Sequence, residues 1–152
     1  MDILFLCSGG LSCRSLMAKT ILESLDQKLN IRAANMTPIR KLSPHAVTAM
    51  TEIGLVMDET TVYDVRDLQQ LNFDYLITLC NGTREDYKKL PLQFAQKLHL
   101  GFDDPELFHD HYLTKLDAYR SLRDELKTEI HYFYHRILKK RLLLCNLPDY
   151  FC

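Results

Sequence analysis

The clearest chemistry in this sequence is a cysteine at the end of an apolar run, followed across a short loop of small residues by an arginine. Ile3-Leu4-Phe5-Leu6 leads into Cys7-Ser8-Gly9-Gly10-Leu11-Ser12-Cys13 and then Arg14. A glycine-bearing loop that enters a helix N-terminus can turn its backbone N–H groups inward as an anion-binding nest, assisted by the helix dipole. Arg14 adds a planar fork matched to phosphate or arsenate oxygens. The same positive field lowers a thiol pKa from about 8.5 towards roughly 4 to 7, so Cys7 is expected to be a thiolate nucleophile. Ser8, Gly9, Gly10, Leu11, Ser12 and Cys13 form the expected oxyanion-binding loop. Cys13 is also a redox candidate, through a reversible disulfide with Cys7 that would protect the nucleophile from over-oxidation. The alternative for Cys13 is a small side chain packed under the loop.

Positioning these groups requires a particular scaffold. The run Ile3 to Leu6 reads as a strand buried on both faces, as in a parallel sheet. Met17/Ala18, Ile21/Leu22 and Leu25 then recur at helical spacing. Ile31 to Ala34 is a second strand. Ser43-Pro44 opens a helix that Gly54 closes. Phe73 to Leu79 is a third strand ending at Cys80, and Ala95 to Leu100 a fourth ending at Gly101-Phe102-Asp103-Asp104-Pro105. A long helix starts near Thr114. Alternating strands and helices predict an α/β fold, a single domain with a four-stranded parallel sheet and helices on both faces. Ligands in such sheets bind at the carboxyl ends of strands, where Cys7, Cys80 and Asp104 all fall. The domain is expected over residues 1–140, followed by an apolar C-terminal tail, 141–152, that packs back on it or on a second copy.

The chain's 152 residues, 47% hydrophobic and 26% charged with a formal net charge of −1, suit one compact domain. No apolar run approaches the roughly 18 to 20 residues needed to cross a bilayer, so no membrane partner is expected. The near-neutral charge gives nucleic acid no electrostatic purchase. Five cysteines at irregular spacing read as reduced thiols in a cytoplasmic protein. His131 and His135 lie four apart on a helix, but with no third ligand nearby no metal is expected.

Several segments together resemble the low-molecular-weight protein tyrosine phosphatases and the thioredoxin-coupled arsenate reductases. They are Ile3 to Cys7, Cys13-Arg14-Ser15 with Met17-Ala18, Ser43-Pro-His-Ala-Val with Met50, Asn72 to Cys80, His99-Leu-Gly-Phe-Asp-Asp-Pro105, and Tyr119-Arg with Arg123-Asp-Glu-Leu126. The flavour is nearer the arsenate reductases. The resemblance implies that Cys7 attacks phosphorus or arsenic held by the loop and Arg14, that Ser15 donates a hydrogen bond to the thiolate, and that Asp104 is the general acid. It places a second redox cysteine at Cys80; read from its own context, with the resolving partner missing, Cys80 is a buried strand-end residue. The third cysteine of the arsenate reductases is Tyr87 here. The loop asparagine of the family is Gly10, and the helix glutamate is Lys19.

One departure bears directly on activity. The family places five residues between cysteine and arginine, whereas six separate Cys7 from Arg14. Counted back from Arg14 the nucleophile is Ser8; counted forward from the strand it is Cys7, the choice the apolar strand favours. The expected function is a cysteine-dependent oxyanion enzyme, either arsenate reductase-like or a phosphatase of phosphate monoesters. It needs no bound cofactor, only an external thiol reductant if a reductase. Expected partners are phosphate, arsenate or a small phosphorylated substrate, with a thiol-redox protein or a low-molecular-weight thiol. The insertion motivates the alternative of a catalytically impaired pseudo-phosphatase or oxyanion-binding protein. Cys7 to Leu16 also resembles the phosphocysteine loop of sugar phosphotransferase IIB carriers, against which Asp103-Asp104-Pro105 and the long last helix argue.

Overall fold

Strand β1 (Asp2–Cys7) occupies the centre of the sheet, and five of its six residues are buried, which explains why its sequence is apolar without alternation. It pairs in parallel with β2 (Asn30–Asn35) on one side and with β4 (Asn72–Thr78) on the other. The three-residue β3 (Val62–Asp64) extends the sheet beyond β2, and β5 (Gln93–His99) extends it beyond β4. The order is β3-β2-β1-β4-β5, all parallel. The sheet thus has five strands where four were expected. Val62–Asp64 is too short to show a period, and it is recruited by pairing with the end of β2 rather than by its own burial. The computed structural model describes residues 1–9, 13–37, 41–81, 83–109 and 113–145.

Helices α1 (Arg14–Leu25), α2 (Pro44–Thr51) and α4 (Lys115–Phe133) share one core with Ile3, Phe5, Ile31, Tyr75 and Ile77. A single turn, α3 (Thr83–Asp86), follows β4. Residues of the opposite sheet face, Leu4, Leu6, Ala34 and Leu76, are covered by Val65 and Leu68 of a 3-10 turn and by Tyr87, Leu90 and Leu92. Helix α4 is nucleated by a capping box in which Thr114 and Asp117 satisfy each other's backbone N–H groups. Its buried positions Tyr119, Leu122, Leu126, Ile130 and Phe133 keep the 3.6-residue period. A π-turn (Tyr134–Leu138) then leads into α5 (Lys139–Cys145), which runs across the expected boundary at residue 140/141. Leu142 packs on the main core, and Arg141 lies over the Tyr75 ring. The rest of the expected tail, 146–152, lies outside the described residues.

This topology selects the place for a site. From β1 the chain moves outward through β2 and β3, then returns to build β4 and β5 on the other side. The crevice between the carboxyl ends of β1 and β4 is therefore the topological switch point, where open parallel sheets bind ligands. Cys7 ends β1, and Cys80 follows β4 by two residues.

Candidate active site

Cys7 and Cys80 are joined as a disulfide, with Cα atoms 5.7 Å apart and a sequence separation of 73. The Cα distance is ordinary for a disulfide, and both residues are buried. Two local devices hold the pair. Behind Cys80, Thr83 donates from its backbone N–H at 3.0 Å and its hydroxyl at 2.8 Å to the Cys80 carbonyl. In front, the Ser8 backbone N–H lies 3.2 Å and its hydroxyl 3.6 Å from Cys80 Sγ.

The start of the loop is pinned to the end of β2. Met36 N–H donates to the Cys7 carbonyl at 2.9 Å, and Thr37 donates to the Ser8 carbonyl from its backbone at 3.2 Å and its hydroxyl at 2.9 Å. Gly9 follows with φ +109°, a conformation L side chains rarely adopt; a Cβ there would also meet the Thr37 carbonyl oxygen at 2.7 Å. Gly10, Leu11 and Ser12, the remainder of the expected cradle, lie outside the described residues. Cys13 closes the loop in the left-handed region, φ 57°, and its carbonyl accepts from Met17 N–H at 2.9 Å as the first helical bond of α1.

Arg14 is almost wholly buried, 3% exposed, and its fork is occupied. One arm donates to the Phe102 carbonyl at 2.8 Å and the other to Asp104 Oδ2 at 2.9 Å. Burial lowers the guanidinium pKa, and the Asp104 charge opposes that fall. Asp104 is itself the cap of a 3-10 turn, Pro105–Leu107, its Oδ1 accepting from Glu106 N–H at 3.0 Å. The turn is anchored in its turn by Glu106, whose carboxylate accepts from Tyr119 OH at 2.5 Å and from Lys115 Nζ at 3.0 Å. Burial works against the Glu106 charge, but hydrogen bonds from Tyr119, Lys115 and Ser43 hold its carboxyl below the usual value. Between this turn and α4 opens a cavity of about 460 Å³ whose walls include Leu107, Phe108, Leu113, Leu122 and Glu125.

The structure therefore joins Cys7, Cys80 and Ser8 in one group and Arg14 with Asp104 in another, both at the carboxyl end of the sheet. Ser15 is fully buried, but its hydroxyl donates to Asn35 Oδ1 at 3.1 Å. Cys13 differs from the redox expectation. It is not paired with Cys7, and burial pushes its thiol up to about 11, with Glu106, Glu59 and Asp104 adding to the rise and a Ser43 backbone N–H partly offsetting it. A thiol held that high is a poor nucleophile and a poor leaving group at neutral pH. Lys19 is also largely buried, and its ammonium pairs with Glu23 at 2.9 Å. Tyr87 packs edge-on against Phe94 at 5.8 Å under the Lys97 ammonium. Among the described residues no group of three His, Cys, Asp or Glu side chains could hold a metal ion, and no helix is long and apolar enough to cross a membrane.

Three residues that hold these groups belong to no motif in the sequence. Asn35 lies one residue beyond the expected second strand, Thr83 three after Cys80, and Glu106 two after Asp104. A polar residue directly following a buried strand end is the signal that could have found Asn35.

A parallel sheet that gathers a cysteine pair, a buried arginine and a carboxylate at its switch point defines an α/β enzyme that handles oxyanions through cysteine. Residues 2–142 match the low molecular weight phosphotyrosine protein phosphatase family, and the chain belongs to that family. It is 31% identical to arsenate reductase 1 of Staphylococcus epidermidis over 89% of this chain and 96% of the relative. It is 35% identical to an arsenate reductase of Bacillus licheniformis, over 86% and 93% of the respective chains. Its fold matches the solution structure of a low molecular weight protein tyrosine phosphatase from Bacillus subtilis, with TM-score 0.70 at 22% identity, covering 93% of this chain and 99% of that one.

Proposed function

We propose that the chain reduces arsenate with Cys7 and Cys80 as its dithiol. The observation that carries this reading is the Cys7–Cys80 bond across the switch point, since a dithiol supplies the two electrons that arsenate reduction takes and that hydrolysis does not need. The reaction balances on the residues present. The Cys7 thiolate attacks arsenic held by the loop and Arg14, a hydroxyl group departs as water with a proton from Asp104, and an S–As bond forms. Cys80 then attacks Cys7 Sγ; the S–As bond breaks, its electron pair leaves with arsenic as arsenite, and the disulfide remains. Arsenic gains two electrons and the two thiols lose them.

Ser8 supports the second step through its donors on Cys80 Sγ. Tyr87 is packed into the second core where the reductases carry a third cysteine, so regeneration falls to a thiol from outside: a low-molecular-weight thiol or a thiol-redox protein attacking the disulfide directly. A reducing cytoplasm is the setting this reading requires. It needs no bound cofactor.

The test is a single turnover without added reductant. The reduced protein mixed with arsenate is expected to release one arsenite and lose two titratable thiols per chain, and Cys80→Ser to release none. Thiols that persist in the presence of arsenate would refute the reading. The Arg14–Asp104–Pro105 arrangement favours hydrolysis of a phosphate monoester as the second reading, in which an aryl phosphate is turned over by wild type and Cys80→Ser alike and lost in Cys7→Ser. Neither activity, with the anion still protecting Cys7 from alkylation, would indicate the impaired oxyanion-binding protein.

A further inference from the structure

Asn35 is buried to 2% exposure, and its amide nitrogen has no hydrogen-bond partner although no solvent reaches it. Buried polar groups are nearly always satisfied, so such a donor asks what state of the molecule would use it. Asn35 pairs in register with Cys7 across β1 and β2, which puts both side chains on the same face of the sheet. Its Oδ1 takes the single hydroxyl proton of Ser15. Ser15 therefore has no proton left for Cys7, whose sulfur, bonded to Cys80, carries no charge to attract one.

We propose that Asn35 is a positioning residue for the Cys7 thiolate and acts through Ser15. The proposal rests on the reading of Ser15 as the thiolate's hydrogen-bond donor. A dithiol supplies two electrons and two protons to the Cys7–Cys80 bond, giving two thiols, and the Cys7 thiol then releases its proton to solvent. With the side-chain amide turned over, Nδ2 donates to Ser15 Oγ, and the Ser15 hydroxyl turns its proton to Cys7 Sγ. The orphan donor is then satisfied, and the chain of donors Asn35 to Ser15 to Cys7 points at the new negative charge. In the disulfide the chain runs the other way. The remaining titratable and charged groups brought to the site are Cys13 and Arg14 of the loop and α1, Cys80 after β4, and Asp104 and Glu106 after β5; the variants below leave all of them in place.

The experiment is the pH dependence of Cys7 alkylation by iodoacetamide in the reduced protein. Ser15→Ala is expected to slow alkylation at pH 6 about tenfold, as loss of one hydrogen bond to a charged sulfur implies. Asn35→Ala is expected to slow it about threefold or more through the same bond, and the double variant to match Ser15→Ala alone. In wild type, the Asn35 side-chain amide resonances are expected to shift when dithiothreitol reduces the disulfide. The NMR arm needs no substitution and stands if a variant fails to fold. If Ser15→Ala leaves alkylation unchanged, the reading of Ser15 is wrong. If Ser15→Ala slows it while Asn35→Ala does not, or while the amide resonances stay fixed on reduction, Ser15 acts alone and the role of Asn35 is overturned.

Discussion

Arg14 donates to Asp104 across 2.9 Å, so in the proposed reaction the side chain that clamps the oxyanion is held by the one that protonates its leaving oxygen. On that reading an incoming anion competes with Asp104 for the fork, and Asp104 is released next to the substrate as the fork closes. Replacing Arg14 with Lys keeps the charge but loses the planar fork. The expected result is a fall of roughly 10² to 10³ in kcat/KM. Asp104→Asn should lower kcat by about 10² to 10⁴ while anion protection of Cys7 persists. Steady-state kinetics on arsenate or an aryl phosphate separate the two, and equal losses in KM alone would contradict the assignment.

Gly9 is fixed by two independent constraints, its positive φ and the closeness of the Thr37 carbonyl. Gly9→Ala is expected to lower stability by about 1 to 3 kcal/mol and to reduce turnover more than stability, because a loop shifted by about 1 Å loses on the order of a hundredfold in rate. Urea unfolding and turnover measured on the same preparation test both halves. An alanine variant with wild-type midpoint and rate would show that the loop tolerates a side chain there.

Glu106 sets an acid limit for the Asp104 turn. Its carboxyl lies below the ordinary value in the folded protein because Tyr119, Lys115 and Ser43 stabilise its charge against burial. A depressed folded-state pKa contributes stability that is fully present above the unfolded value, about 4.3 for glutamate, and is lost as pH falls through the folded value. Melting temperature should therefore drop on acidification below that range. Glu106→Gln should flatten the drop while lowering stability at neutral pH, because Lys115 and Tyr119 lose their charged partner. Parallel wild-type and variant slopes would mean other carboxylates carry the effect.

The Cys7–Cys80 bond closes a long loop, with a sequence separation of 73. Chain-entropy reasoning assigns such a crosslink about 4 kcal/mol of stabilisation. The oxidised protein should melt several degrees above the reduced one, with Cys80→Ser melting like the reduced form and indifferent to dithiothreitol. Identical melting of oxidised and reduced wild type would show that the reduced chain already holds the two strand ends together as firmly as the bond does.

The parts of the site that could be read from the sequence are those tied to strand ends. Cys7, Cys80 and Asp104 were placed together because apolar runs with turn residues behind them reveal where strands stop, and parallel sheets collect those stops on one edge. What could not be read depends on partners distant in sequence. Val62–Asp64 becomes a strand only because β2 offers an edge. Asn35 is silent until the register sets it beside Cys7. Glu106 looks like a surface residue after a proline until α4 brings Lys115 and Tyr119 to it. Cys13 carries the same sequence motif as its neighbours, yet its chemistry is set by the depth at which α1 begins.

The parallel order of the strands also dictates when this site comes into being during synthesis. Cys7 leaves the ribosome 73 positions ahead of Cys80. At roughly 5 to 20 residues per second, the nascent chain carries Cys7 without its partner for roughly 4 to 15 s. Asp104 follows later still, and β5 must dock before Phe102 can offer its carbonyl to Arg14. A ribosome stalled before β4 therefore holds a chain whose first thiol is already made and whose disulfide partner does not yet exist.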